Sequence, residues 1–210
     1  MNVFFRLIIF LAIIFFISCK GKQEKNNPVA DVIIKDSIAP TVSEINKDYL
    51  LSATGKQILL LLKNKQYDSL TVYFSDSVHF SPYGFIGSGE QTLTAAQFSS
   101  LLSSNKKIKW GDYDGSGEPI DLTAKEYLQK FVYNADFLNA EKVSVDKFIG
   151  SGNSLNNLKS IYPNARFIEY HFSGFDKKYA GMDWASLRLV FTEKDNKYLL
   201  VAFVNDRWTI

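Results

Sequence analysis

The sequence predicts an α+β domain, with helices packed on one face of a curved antiparallel sheet. Three observations carry this. Apolar residues recur at helical spacing from Tyr49 to Leu62. Two capping boxes, Thr94-Ala95-Ala96-Gln97 and Thr123-Ala124-Lys125-Glu126, open two further helices. Four runs rich in aromatic and β-branched residues then close the chain, at 143–149, 166–172, 184–192 and 198–204. Helices first and strands after is the order of an α+β layout.

The chain begins with a different kind of segment. A short start containing Arg6 leads into an apolar run from Leu7 to Ile17 and then Ser18-Cys19. A basic start, an apolar stretch and a small residue before the cut make a secretory signal, and the run is shorter than the ~20 residues a spanning helix needs. We therefore read 1–18 as a signal peptide and Cys19, the single cysteine, as the lipidated first residue of the mature chain. Residues 19–45 are polar and without periodicity, apart from Val32, Ile33 and Ile34, and read as a flexible tether. Lys20 stands where inner-membrane retention signals place an acidic residue, so the outer membrane is the expected address. Residues 46–210 form one domain. With its thiol acylated the mature chain has no disulfide, and the domain is held by its core alone.

Within the domain the first helix carries the run Ile58 to Leu62, apolar on nearly all sides, so it should be covered on more than one face. Asp68 is placed to cap a short second helix burying Leu70, Tyr73 and Phe74. Residues 75–77 read as a turn and 78–81 as a strand stopped by Pro82. The Thr94 box opens a helix to Leu102. The Thr123 box opens one to about Tyr133 that buries Tyr127, Leu128, Phe131 and Val132.

Charge is nearly balanced, 24 Lys and Arg against 22 Asp and Glu, which gives no support for a nucleic-acid partner. Aromatic content is high, with 17 Phe and 11 Tyr, so a core or pocket rich in rings is expected. Tyr83, Phe85, Trp110, Tyr113, Trp184 and Trp208 are candidates for a ligand rim. In the glycine-rich stretch from Trp110 to Pro119, the residues Asp112, Asp114, Ser116 and Glu118 have the spacing of the first half of a calcium loop. Thr123 stands where the closing bidentate Glu belongs, and an aspartate-capped glycine turn explains the stretch more simply. On the 166–172 strand Glu169 and His171 share a face; with Asp183 or Arg188 they could make an acid–base group, although the polar outer face of a half-solvated sheet is the plainer reading. His171, Asp183 and Asp114 are thus the candidate catalytic groups. No hydrolase elbow, phosphate loop, dinucleotide fingerprint or zinc-protease motif is present.

Two resemblances add to this. Asn64-Lys65-Gln66-Tyr67-Asp68-Ser69-Leu70 and Tyr73-Phe74-Ser75-Asp76-Ser77-Val78-His79-Phe80 resemble the opening of the NTF2-like, or cystatin-like, family. That likeness implies a cone-shaped pocket between sheet and helices, and transfers no catalytic residue. The run Phe16-Ile17-Ser18-Cys19-Lys20, together with 81–85, 113–119 and 182–187, resembles lipoproteins of Bacteroidota-type bacteria, which implies no particular activity. The expected function is a membrane-tethered extracytoplasmic binding module for a small ligand or an envelope partner. A pocket hydrolase or isomerase, and a calcium-stabilised adhesion or assembly domain, are the alternatives.

Overall fold

One stripe of α1 (Val42–Lys63) does most of its packing: Leu51, Gly55, Ile58, Leu59 and Leu62 are buried, at spacings of three and four. The computed structural model describes residues 42–150 and 155–208, and the side chains from Asn46 on; the signal segment, Cys19 and residues 20–41 lie outside the described residues. The helix is covered on this one stripe, with Leu60 and Leu61 half-buried and Tyr49 and Leu50 exposed, so the broader coverage expected of the leucine run is not found. Gly55 is the point of closest approach. A Cβ there would lie 2.5 Å from the Tyr170 hydroxyl and 2.7 Å from Ile168 Cδ1, so any larger residue would have to push both side-chain ends aside.

A 3₁₀ helix, Tyr67–Tyr73, follows and buries Tyr67 and Leu70. Asp68 does not cap it: Gln66 holds the cap position, and Asp68 takes part through its carbonyl, which accepts from the Thr71 hydroxyl at 2.8 Å. β1 (Phe74–Ser81) starts four residues before the expected strand. The presumed turn at 75–77 is an irregularity in its parallel pairing with the last strand, where the register shifts between Phe74 and His79. β2 (Gln91–Leu93) is a short edge strand.

Both capping boxes form. In α2 (Ala95–Ser104) Thr94 Oγ1 accepts from the Gln97 N–H at 3.3 Å while Gln97 Oε1 accepts from the Thr94 N–H at 2.9 Å. In α3 (Ala124–Tyr127) Thr123 and Glu126 repeat the exchange at 3.2 and 2.8 Å. This helix then widens into a π turn over Leu128–Val132. Between them, β3 (Ile108–Asp112) and β4 (Pro119–Leu122) form a separate two-stranded hairpin.

The main sheet is completed by β5 (Lys142–Val145), β6 (Arg166–Phe172), β7 (Ala185–Lys194) and β8 (Lys197–Arg207), with α4 (Leu158–Ile161) between β5 and β6. Its order is β2-β1-β8-β7-β6-β5, antiparallel throughout except for β1 beside β8. The architecture is thus α+β, with helices against a mostly antiparallel, bulged sheet. The inner face is filled with rings: Phe80, Phe98, Trp110, Tyr127, Phe131 and Phe203 are fully buried. Phe80 lies parallel to Phe98 at 5.5 Å, and Trp110 to Tyr127 at 4.2 Å.

The outer face is covered too. Phe167, Val190, Ala202 and Val204 lie beneath Ile86 and Leu158, with Tyr162 and Ala165 beside them. Two segments supply this cover, one around Ile86 and one whose described parts are 146–150 and 155–162, the latter including α4. The Asn157 side chain joins them: its Oδ1 accepts from the Ile86 N–H at 2.8 Å and its Nδ2 donates to the Ile86 carbonyl at 3.0 Å. This corrects the expectation of a half-solvated sheet.

Candidate functional site

Strand alternation puts Glu169 and His171 of β6, Ser186 and Arg188 of β7 and Asp206 of β8 on the outer face. The register pairs Glu169 with Arg188, His171 with Ser186, and Ser186 with Asp206. All five are buried, Glu169, Ser186 and Arg188 completely. Arg188 is the hub. Its Nε donates to Glu169 Oε2 at 3.0 Å, and its Nη2 reaches Asp206 Oδ2 at 2.7 Å and the Gly150 carbonyl at 3.2 Å. The guanidinium lies 4.9 Å from the centre of the Phe148 ring. Glu169 also accepts from the Ile149 and Gly150 N–H groups at 3.1 and 2.8 Å and from the Ser186 hydroxyl at 2.7 Å.

The lid over this cluster is glycine. A Cβ on Gly150 would stand 2.6 Å from Ser186 Oγ and 2.7 Å from the Trp184 ring; one on Gly84 would stand 2.7 Å from the Asp206 carboxylate. Arg188 Nη1 and Asp206 Oδ1 are buried and have no hydrogen-bond partner among the described residues. Burial pushes the Asp206 carboxyl above its ordinary range, against the pull of Arg188.

His171 sits at the margin of the cluster. Its Nδ1 is 2.8 Å from Ser186 Oγ, and its ring lies 5.9 Å from that of Trp184. The Ser186 proton is committed to Glu169, so the serine oxygen accepts from His171 Nδ1–H, which leaves the lone pair on Nε2. Burial pulls the imidazole below its usual range despite the Glu169 charge, so it is neutral at pH 7. The same commitment removes Ser186 as a nucleophile, because the histidine donates to it rather than taking its proton.

The β6–β7 connection rises from the same end of the sheet. Asp183 Oδ2 accepts from the Phe175 and Asp176 N–H groups at 3.0 and 2.7 Å, and Asp176 Oδ1 accepts from the Lys178 N–H at 3.0 Å. Gly174 and Gly181, at φ +152° and +84°, let the loop fold back on itself. With both carboxylates turned to the loop's own backbone, its apolar side chains face out. In the loop Phe175 is 58%, Met182 50% and Tyr179 45% exposed, and Trp208, just after β8, is 38% exposed. Tyr179, Met182, Asp183 and Trp208 line a cleft of about 260 Å³.

The candidate residues therefore fall into three places. His171 and Trp184 join the buried cluster, and Asp183 and Trp208 the cleft beside it. Tyr83, Trp110, Tyr113 and Asp114 lie at the helix side of the domain. There Trp110 Nε1 donates to the Leu122 carbonyl at 2.9 Å, Lys130 Nζ donates to the Tyr113 hydroxyl at 2.6 Å, and the Asp114 N–H donates to the Tyr83 hydroxyl at 3.2 Å. The glycine-rich stretch is the β3–β4 hairpin turn, closed by the Tyr113 N–H on the Glu118 carbonyl at 2.7 Å. Of its acidic and hydroxyl groups, Asp112 pairs with Lys109 at 2.7 Å and Ser116 Oγ accepts from the Glu118 N–H at 3.3 Å; Asp114 and Glu118 are exposed. Among the described residues no three His, Cys, Asp or Glu side chains are grouped to hold a metal ion.

Sequence reasoning missed Ser186 and the burial of the whole cluster. One signal was available: Val190, Ala202 and Val204 share the face of Arg188, and an apolar outer face needs a cover. Among the described residues no helix is long and apolar enough to cross a membrane. Comparisons with protein-family models, with curated proteins and with solved structures returned no match.

Proposed function

We propose that the protein is a lipid-tethered extracytoplasmic binding module, held by acylated Cys19 at the outer membrane. Its binding face is the end of the sheet where Phe175, Tyr179, Met182 and Trp208 stand out, and it takes a small ligand or an envelope partner. One observation carries the reading: Asp183 Oδ2 and Asp176 Oδ1 of the loop accept from the loop's own backbone, while its Tyr179 and Met182, with Trp208 from just after β8, stand exposed around a cleft. Exposed apolar side chains gathered around a cleft are a usual mark of an interaction site. We also propose the NTF2-like shape for the domain, with the cone's interior occupied by the Trp110–Tyr127 stack.

Two measurements test this. Cys19→Ser should release the protein from the membrane fraction; retention there overturns the anchor. An anilinonaphthalene sulfonate dye should bind the cleft saturably, and Trp208→Ala should weaken binding about tenfold, the effect of losing half of a large side chain's burial. A linear response to the dye, unchanged in the variant, overturns the binding face.

A second reading rests on His171. A neutral imidazole, fixed through Nδ1 by Ser186 and Glu169 and carrying its lone pair on Nε2, is the arrangement of a general base. On that reading the protein is a hydrolase or isomerase whose substrate lies against Trp184, and His171→Gln abolishes turnover while leaving dye binding intact.

A further inference from the structure

From the composition and placement of the β6–β7 loop, and of Trp208 beside it at the end of β8, we infer that the partner of this face is the phospholipid surface itself: Phe175, Tyr179, Met182 and Trp208 seat at the headgroup level of the bilayer that anchors the chain. This deepens the proposed binding role and rests, for its location, on the lipidation of Cys19.

The residue types are those of a membrane interface. Tyr and Trp present an apolar body with a polar tip, Phe and Met supply greasy contact, and lysine stems lie along apolar surface while their ammonium groups reach outward. Lys177 and Lys178 stand beside the patch, both exposed, and Lys178 Nζ is 4.6 Å from the centre of the Tyr179 ring. Charge is arranged to permit contact. Asp176 and Asp183 would repel anionic headgroups, but Asp183 is turned onto backbone amides and Asp176 is neutralised by Lys178 at 2.9 Å. The loop is thus close to neutral, and the apolar residues, rather than attraction to anionic lipid, supply the affinity.

Reach is the second argument. Twenty-two residues separate Cys19 from Val42, so the anchor can lie no farther than about 80 Å along the chain from the start of α1. An acyl anchor on a tether this short holds the domain at millimolar effective concentration against the bilayer, so a weak patch suffices to dock it. A soluble small molecule gains nothing from that geometry, whereas a surface does.

The test uses the mature acylated chain in vesicles of phosphatidylethanolamine and phosphatidylglycerol, with and without dibrominated acyl chains. Trp110 is fully buried and Trp184 nearly so, which leaves Trp208 as the reporter. Brominated lipid should quench part of the emission, and Trp208→Phe should abolish the quenched part. The double variant Tyr179→Ser, Met182→Ser should lower docking about tenfold or more, whereas replacing phosphatidylglycerol with phosphatidylcholine should change it less than threefold. The chain carrying Cys19→Ser, added to excess vesicles, should show the same quenching at higher lipid. Equal emission with and without bromine in both chains overturns docking, whether or not the wild type floats with the vesicles. Loss of flotation alone, with quenching kept at high lipid, overturns the anchor and leaves docking standing. Saturable dye binding without lipid quenching assigns the cleft to a small molecule and overturns this inference.

Discussion

The two faces of the sheet are both buried, but by opposite chemistry. The inner face is closed by side chains packing on side chains, a column of Phe, Tyr and Trp rings. The outer face is closed by loop backbone laid over charge: Gly150 and Ile149 donate to Glu169, and the Gly150 carbonyl accepts from Arg188. The first arrangement tolerates apolar swaps that keep its volume, because dispersion contacts are many and individually small. The second is not, because each buried charge depends on a few directed partners whose loss strands it.

The largest effect separates the faces most clearly. Arg188→Met should cost about 3–5 kcal/mol in urea unfolding, since Glu169 and Asp206 lose their buried counter-ion. Adding Glu169→Gln to it should recover part of that loss; if the double variant is less stable than the single, the cluster is not held by charge pairing. On the inner face Trp110→Ala should cost a similar ~3–5 kcal/mol through a cavity, but polar substitution elsewhere should not rescue it.

Next in size is Gly150→Ala. Its methyl would meet Ser186 and Trp184 at contact distances that force the loop to shift, for a loss of about 1–3 kcal/mol. An unchanged unfolding midpoint would show that the cover is looser than its hydrogen bonds imply.

The pH dependence is smaller and has a definite sign. His171 has a folded-state pKa below its ordinary value near 6.5, so the unfolded chain binds the extra proton first. Stability should therefore fall as pH drops from above 6.5 through the lowered pKa, and His171→Gln should flatten that part of the curve. Asp206 works in the opposite direction. Its raised pKa makes the folded state bind a proton that the unfolded chain releases near 3.8, so its contribution favours folding at acid pH and is lost as pH rises through the raised value. Smallest is Trp208→Ala, expected to change stability by less than about 1 kcal/mol because the side chain is more than a third exposed, while weakening dye binding about tenfold and removing the lipid-quenched emission.

The same contrast decides what could be read from sequence. The Thr94 and Thr123 caps were legible because a capping box is a local exchange between residues three apart. The strand at 166–172 was placed correctly for a similar reason, its run of aromatic and β-branched residues being bounded by polar turns. The start of β1 was hidden, because Phe74 pairs with Leu200 and the irregularity that absorbs 75–77 exists only in that long-range pairing. For the candidate site, Glu169 and His171 could be assigned to one face from alternation alone, and the register of β6 with β7 then selects Arg188 rather than Asp183 as their partner. Whether water reaches that face depends on loops around Ile86 and Gly150, and a charged residue in a strand looks the same in sequence whether it is solvated or covered. The aromatic candidates divided on the same principle: Trp110 and Trp208 are alike as residues, and only tertiary packing sends one into the core and the other to the surface.

The bridge made by Asn157 gives the outer face its own opening equilibrium. One amide, at the start of α4, holds the backbone of Ile86 through two hydrogen bonds. The amide protons of Ile149 and Gly150 should accordingly exchange with solvent by lifting of this cover, at a free-energy cost well below that of unfolding the β7–β8 pair. In Asn157→Ala those two protons should exchange faster by ten- to a hundredfold while the protons of β7 and β8 keep their rates. The cover of the charged cluster is then fastened at two ends, by Asn157 to Ile86 and by Ile149 and Gly150 to Glu169, and the variant separates the first fastening from the second.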